Sequence, residues 1–308
     1  MGECLREQGG VEYRELRARS LLNRCDAPRM PFTRTVNPYR GCAMGCRYCY
    51  AAYTHEFMGI ETPESFHSVV YVKRGHEAET ARGLARVVRS GRRIAIGTAT
   101  DPYQPGEAQA KVTRGFLEQV AQHRNVRVSL VTKGALVLRD VELLQKIHAR
   151  SALSVHVSLV TPHAELARKL DPWAPPPDVR IEVMRRLVEA GLDVGHALAP
   201  VLPGITDDEP SLDLLMGRVR AAGVRHMFAQ LLFLRSPTRE KFFRWLEAEM
   251  PRLGPAYHEA YDARVYLGGG YRRKIDALLA RLEERHGFVA GGDDDEEDTG
   301  PPEQIPLF

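Results

Sequence analysis

Cys42, Cys46 and Cys49 stand in a C-x3-C-x2-C arrangement inside NPYRGCAMGCRYCY, residues 37–50. Three thiolates this close can hold a [4Fe–4S] cluster by three of its irons, whereas a closed cluster takes four cysteines. One iron is then left open. An open iron on a reducing cluster is what S-adenosylmethionine (SAM) needs to chelate through its amino and carboxylate groups, so that an electron can cleave the sulfonium and release a 5′-deoxyadenosyl radical.

Two other uses of the cysteines can be weighed. A structural zinc site would ask for a fourth Cys or His at short, regular spacing, and the next histidine, His55, has no partner at ligand spacing. A disulfide framework does not suit five cysteines, an odd number, in a 308-residue chain whose polar start does not read as a secretory signal. Cys4 and Cys25 read as incidental thiols: the first lies in a polar, mobile N-terminal stretch, and the second is too far upstream to join the cysteine loop.

A 34.6 kDa chain with 44% hydrophobic residues can bury a full core as one α/β domain with appendages. No apolar run is long enough to span a membrane. Iron–sulfur chemistry without an export signal points to the reducing cytoplasm and to a reducing electron donor. The formal charge of +3 is unevenly spread: seven of the 40 acidic residues fall in 291–308, where no Lys or Arg occurs, leaving 43 basic against 33 acidic residues in the rest. Such a body suits a polyanion such as DNA or RNA, although a solvated basic surface gives the same count.

Thr33–Asn37, Arg92–Thr98, Val126–Thr132, Leu153–Leu159, Asp193–Val201 and Arg225–Leu234 are short apolar, partly β-branched runs that predict strands. Helical spacing of apolar residues predicts helices at Glu77–Arg89, Lys111–Gln122, Asp140–Ala149, Pro177–Ala190 and Glu209–Ala222. This alternation implies parallel strands joined by right-handed crossovers, six βα units in all. The fold class expected is α/β, a partial (β/α)6 TIM-type barrel over residues 31–235. It is preceded by an N-terminal extension, 1–30, and followed by a C-terminal helical region, 236–290, and a disordered acidic tail, 291–308. Ligands in such barrels gather where strands end, and these strand ends are polar.

Together, NPYRGC-x3-C-x2-CY, GTATDPYQP, VTKG, VSLVT, LDPWAPPPDVR and APVLPGITD resemble the radical SAM superfamily, and within it the spore photoproduct lyase-like branch. The resemblance spans about residues 20–290 in the family's motif order and implies a [4Fe–4S] cluster and SAM as cofactors. It makes Cys42, Cys46 and Cys49 the cluster ligands and Tyr48 a neighbour of the adenine. It places Thr98, Thr100 and Asp101 at the strand end that takes the SAM amine, and Lys133 opposite the SAM carboxylate. Ser158 falls at the ribose, and the turn at Gly204 lies along the adenine. The branch returns a hydrogen atom from a cysteine beyond the cluster, but no cysteine follows Cys49. Tyr103 or another tyrosine could serve instead, and the substrate is left open.

Six consecutive acidic residues, Asp293 to Asp298, between Gly and Pro cannot bury apolar surface. The last five residues, Gln304, Ile305, Pro306, Leu307 and Phe308, resemble the Q-L-x-L-F peptide with which bacterial repair proteins enter the β sliding clamp, with Gln304, Ile305, Leu307 and Phe308 as the contacts. Three readings stay open on the sequence: a radical SAM enzyme acting on nucleic acid, one acting on a peptide or small metabolite, and an iron–sulfur sensor without turnover.

Overall fold

The short apolar runs condense into two sheets. In the computed structural model, which describes residues 4–26, 30–58 and 65–289, the strands are β1 (Cys4–Gln8), β2 (Val11–Arg17), β3 (Leu22–Arg24), β4 (Arg34–Val36), β5 (Tyr39–Arg40), β6 (Val69–Arg74), β7 (Arg93–Ile96), β8 (Arg127–Thr132), β9 (Ala152–Ser158), β10 (Asp193–Val201) and β11 (His226–Leu231). The larger sheet has seven strands in the order β11-β10-β9-β8-β7-β4-β3. Every neighbouring pair from β4 to β11 is parallel, and only β3 joins antiparallel, on the edge. These six parallel strands form the open (β/α)6 barrel that the alternation implies.

Each crossover helix turns one apolar stripe onto the sheet. The helix Glu77–Arg89 buries Thr80, Leu84 and Val87, Pro177–Glu189 buries Val183, Met184 and Leu187, and Glu209–Ala221 buries Leu212, Leu215, Met216 and Val219. Those side chains and the strand residues, such as Ile94, Ile96, Leu130, Val155 and Leu198, make one continuous core. The helix Gly269–His286 adds Ile275, Leu278, Leu279 and Leu282 to this core and is tied to Glu209–Ala221 through Arg285 and His286, both 2.9 Å from Asp213. Among the described residues, no helix is long and apolar enough to cross a membrane.

The N-terminal residues depart from the expected polar extension. Cys4–Gln8 and Val11–Arg17 form a hairpin through Gly9 and Gly10, both at positive φ, which suits the twist of a two-residue turn. Strand β2 pairs in parallel with β6, and β6 pairs antiparallel with β5, giving a second sheet in the order β1-β2-β6-β5. β5 runs directly into Gly41 and Cys42, so this sheet is one wall of the cysteine loop. The Gly-Gly turn is the local signal for the hairpin; β6, the run VVYVKR, is its own apolar signal. The acidic tail and the terminal contacts Gln304, Ile305, Leu307 and Phe308 lie outside the described residues.

Tyr13 on β2 joins the two sheets. It is buried against Gly106, where an added Cβ would come within 2.3 Å of the Tyr13 ring, so only glycine admits the ring there. Tyr13→Ala should therefore lower stability by about 3–5 kcal/mol, the range for removing a buried aromatic ring, read as a fall in the urea midpoint without a change in slope.

Candidate active site

Between Arg40 and Tyr50 the chain has no regular secondary structure, and its shape is imposed by neighbours. Gly41 (φ 87°) and Gly45 (φ 72°) turn the backbone where other residues would be strained. A Cβ on Gly41 would lie 2.5 Å from the Val69 carbonyl, and one on Gly45 would lie 2.6 Å from the Trp173 ring. The Cys42 N–H donates to the Phe66 carbonyl (2.9 Å), and the Cys42 carbonyl accepts from His67 Nδ1 (2.8 Å). Burial lowers His67 to about 3, so the imidazole is neutral and donates through that nitrogen.

The end of β7 clamps the same loop. Gln104, fully buried, accepts from the Ala43 N–H (2.9 Å) through Oε1 and donates through Nε2 to Thr100 Oγ1 (3.0 Å) and the Gly41 carbonyl (3.3 Å). Thr100 Oγ1 donates to that carbonyl as well (2.7 Å). Asn37 holds the strand ends together: its Nδ2 donates to Thr98 Oγ1 (3.0 Å) and its Oδ1 accepts from the Ala99 N–H (2.7 Å). The Thr98 carbonyl accepts from the Tyr50 hydroxyl. Thr98 and Thr100 thus spend their hydroxyls within the protein.

Asp101 has a double position. Its N–H points at Cys42 Sγ (3.4 Å), while its carboxylate accepts from Tyr103 N–H (2.8 Å), Thr132 Oγ1 (2.7 Å) and Lys133 N–H (2.7 Å). Burial raises the Asp101 carboxyl, against those three donors. The carboxylate locks the ends of β7 and β8 together, and it brings Lys133 over the Tyr48 ring, with Nζ 5.4 Å from the centroid. Burial opposes the charge on Lys133, but Cys46 and Asp171 outweigh it and hold the ammonium above its ordinary value.

The third wall is the segment between β9 and the helix Pro177–Glu189. Arg47 N–H donates to the Leu170 carbonyl (2.9 Å) and Trp173 N–H to the Met44 carbonyl (3.3 Å). Asp171 and Arg180 form a fully buried ion pair at 3.1 Å, and Arg180 also donates to the Ser158 carbonyl (3.0 Å) and the Pro175 carbonyl (2.6 Å). Burial would lift the Asp171 carboxyl, but Lys133 and Arg180 bring it below its ordinary value. Asp171 Oδ1, Arg180 Nη2 and the Tyr48 hydroxyl are each buried without a hydrogen-bond partner, an arrangement that asks for a further polar group among them.

Cys42, Cys46 and Tyr48 lie in a second apolar cluster with Leu202, Ile205, Leu232, Phe242, Tyr257 and Tyr261. The last three belong to the helices Thr238–Glu249 and Gly254–Tyr261, which cap this end of the barrel. Gly204 (φ 68°) makes the turn after β10, its N–H donating to Asp207 Oδ1 (2.7 Å), and Tyr257 donates to the neighbouring Pro203 carbonyl (2.7 Å). Cys49 is fixed through its carbonyl by Thr238 Oγ1 (2.6 Å).

The surroundings of the thiols suit an iron–sulfur cluster. Burial drives Cys42 up to about 12, Cys46 well above its ordinary value and Cys49 upward too; as thiolate ligands the three would need a strong cation beside them, which the irons of a cluster would supply. Among the described residues no three His, Cys, Asp or Glu side chains converge on a point for one metal ion, whereas a four-iron cluster takes each thiolate on its own iron.

The residues named from sequence gather at one end of the barrel. Asn37, Gln104, Asp171 and Arg180 join them without having been singled out, although all four lie inside the motifs NPYRGC, GTATDPYQP and LDPWAPPPDVR. Tyr103 belongs instead to the main core, its phenol pushed up by burial and by Asp140 and Glu107.

A family model described as "Radical SAM superfamily" matches residues 36–215. An uncharacterised protein of Mycobacterium tuberculosis is 35% identical over 274 residues, covering 89% of this chain and 80% of the relative. One from Methanocaldococcus jannaschii is 22% identical over 284 residues, covering 91% and 97%. A spore photoproduct lyase variant solved with AdoMet and the dinucleoside spore photoproduct superposes with a TM-score of 0.69 at 13% identity, covering 90% of this chain and 81% of that one. Streptococcus suis SuiB bound to its precursor peptide SuiA gives 0.53 at 12% identity, covering 84% and 48%.

Anaerobic reconstitution should load about four irons per chain. Cys42→Ala, Cys46→Ala or Cys49→Ala should each abolish loading, and Cys25→Ala should not. Gln104→Leu strands the buried Ala43 N–H at a cost of about 1–3 kcal/mol, while the Gly41 carbonyl keeps its bond from Thr100, so iron should be lost faster on dilution, measured by the decay of cluster absorbance.

Proposed function

Since the chain belongs to the radical SAM superfamily and uses a [4Fe–4S] cluster and SAM, we propose that its substrate is nucleic acid and that its reaction modifies or repairs a base in the cytoplasm. When bound, the cluster supplies the electron and SAM the 5′-deoxyadenosyl radical that abstracts hydrogen from the substrate. The protein's own work is placement. Cys42, Cys46 and Cys49 would hold the cluster, Lys133 would meet the SAM carboxylate as a cation, and Tyr48 would pack against the adenine beside the turn at Gly204. Ser158, at the end of β9, would contact the ribose. Asp101 acts through the backbone it orders, by setting Lys133 and directing an N–H at Cys42 Sγ.

The observation that carries the nucleic-acid reading is the likeness, across nine-tenths of this chain, to a fold solved with a dinucleoside photoproduct. The basic excess outside the acidic tail agrees with it. The absence of a cysteine after Cys49 separates the chain from a lyase that returns hydrogen through such a thiol, so dimer splitting by that route is not part of the proposal. The terminal residues Gln304, Ile305, Leu307 and Phe308 are proposed to bind a bacterial β sliding clamp, which would hold the enzyme at DNA.

Three measurements test this reading. Reduced, reconstituted protein should form 5′-deoxyadenosine, and ultraviolet-damaged or intact DNA should stimulate it; stimulation by peptides or metabolites but not by DNA would transfer the substrate to that class, for which SuiB is the structural parallel. Lys133→Ala should weaken SAM binding by about 1.5–3 kcal/mol, the range for a hydrogen bond to a charged group, with iron content unchanged, in equilibrium binding. Removing Leu307 and Phe308 should abolish clamp binding in calorimetry, where the intact tail should bind with micromolar affinity, about 8 kcal/mol, while 5′-deoxyadenosine formation stays the same.

A further inference from the structure

At the opposite end of the strands from the cysteine loop, a groove of about 700 Å³ lies between the edge strand β3 and the helix Glu77–Arg89. Among the described residues five arginines line it: Arg19 after β2, Arg24 at the end of β3, Arg34 at the start of β4, Arg86 on the helix and Arg92 just before β7. Among the described residues the lining holds one carboxylate, Glu79, which bonds Arg82 at 2.7 Å and also faces Arg19 and Arg86, so one negative charge is shared among three guanidinium groups. Arg24 is paired with Asp26, and both are exposed to solvent, where such a pair holds little. Arg19, Arg86 and Arg92 are exposed as well.

Folding has therefore gathered like charges. Arg34, half-buried, is pushed below its ordinary value by burial and then by Arg92 and Arg24, the direction expected when guanidinium groups face one another without enough carboxylates. An anion relieves that repulsion and accepts the forked donors of arginine. A single phosphate carries at most about two charges, too few for five arginines spread over several elements. A run of phosphodiesters, one charge each, matches both the number and the spread. Among the described residues no aromatic ring lines the groove, so they offer no surface on which bases would stack.

We propose that this groove holds the phosphate backbone of a nucleic-acid strand, independently of sequence, as an anchor separate from the site of radical chemistry. The inference rests on the nucleic-acid reading above and names the surface that would hold the polymer.

The test uses full-length protein and a fluorescein-labelled single-stranded oligonucleotide in fluorescence anisotropy. Arg24→Glu, Arg86→Glu and Arg92→Glu combined should weaken binding by more than about tenfold at low salt and flatten the dependence of log affinity on log salt by about two to three units. A control with the same charge change elsewhere, Arg186→Glu, Arg273→Glu and Lys274→Glu, should bind nearly as the unaltered protein does. Equal losses in both triple variants, or no loss in the first, would overturn the groove. The catalytic reading is read separately, as oligonucleotide-stimulated 5′-deoxyadenosine formation by the groove variant at saturating oligonucleotide. Stimulation that persists leaves that reading standing whether or not the groove binds; its absence from both the variant and the unaltered protein would remove the nucleic-acid reading and the groove's partner with it.

Discussion

A ligand loop without helix or strand cannot satisfy its own backbone, and that constraint organises this end of the molecule. Buried N–H and C=O groups left unpaired are costly. Besides one turn bond of its own, from the Cys49 N–H to the Cys46 carbonyl (3.3 Å), the polar contacts along residues 41–49 are therefore supplied from outside: Phe66 and His67 on one side, Thr100 and Gln104 from the segment after β7 on another, Leu170 and Trp173 across the cleft, and Thr238 from the capping helix. The loop is rigid because four separate parts of the chain agree on its shape.

Electrostatics follow the same division of labour. Two cations, Lys133 and Arg180, flank one buried carboxylate, Asp171, beside Tyr48 and Cys46. Arg180 is paired with that carboxylate and also braces the Ser158 carbonyl at the end of β9, which leaves Lys133 as the more available charge for an incoming carboxylate. Removing either member of the buried pair would leave the other uncompensated, which is more damaging than replacing both.

The parallel strands were legible because each is a short run with apolar, partly β-branched residues on at least one face, alternating with helices of clear periodicity. Asp193–Val201 and Glu77–Arg89 have the same bounds in sequence and structure, and the others differ at their ends by one to three residues, where strands and helices fray. The second sheet was not legible. β1 is largely exposed and polar, and it exists through pairing with β2 and the Gly9–Gly10 turn rather than through its own side chains. The three cysteines announce themselves by spacing. Gln104 and Asn37 do not, because amides are common in turns and only the fold shows that these two are buried against the loop. Arg180 was similarly hidden, since a helical arginine is ordinarily solvated.

The bond from the Thr238 hydroxyl to the Cys49 carbonyl crosses from the capping helices to the third cysteine. Thr238 opens the helix Thr238–Glu249, whose Phe242, Phe243 and Leu246 form part of the apolar lid over the thiols. Because the helix and the third ligand share this hydroxyl, a displacement of the helix would pull on the backbone of Cys49 without touching its thiol.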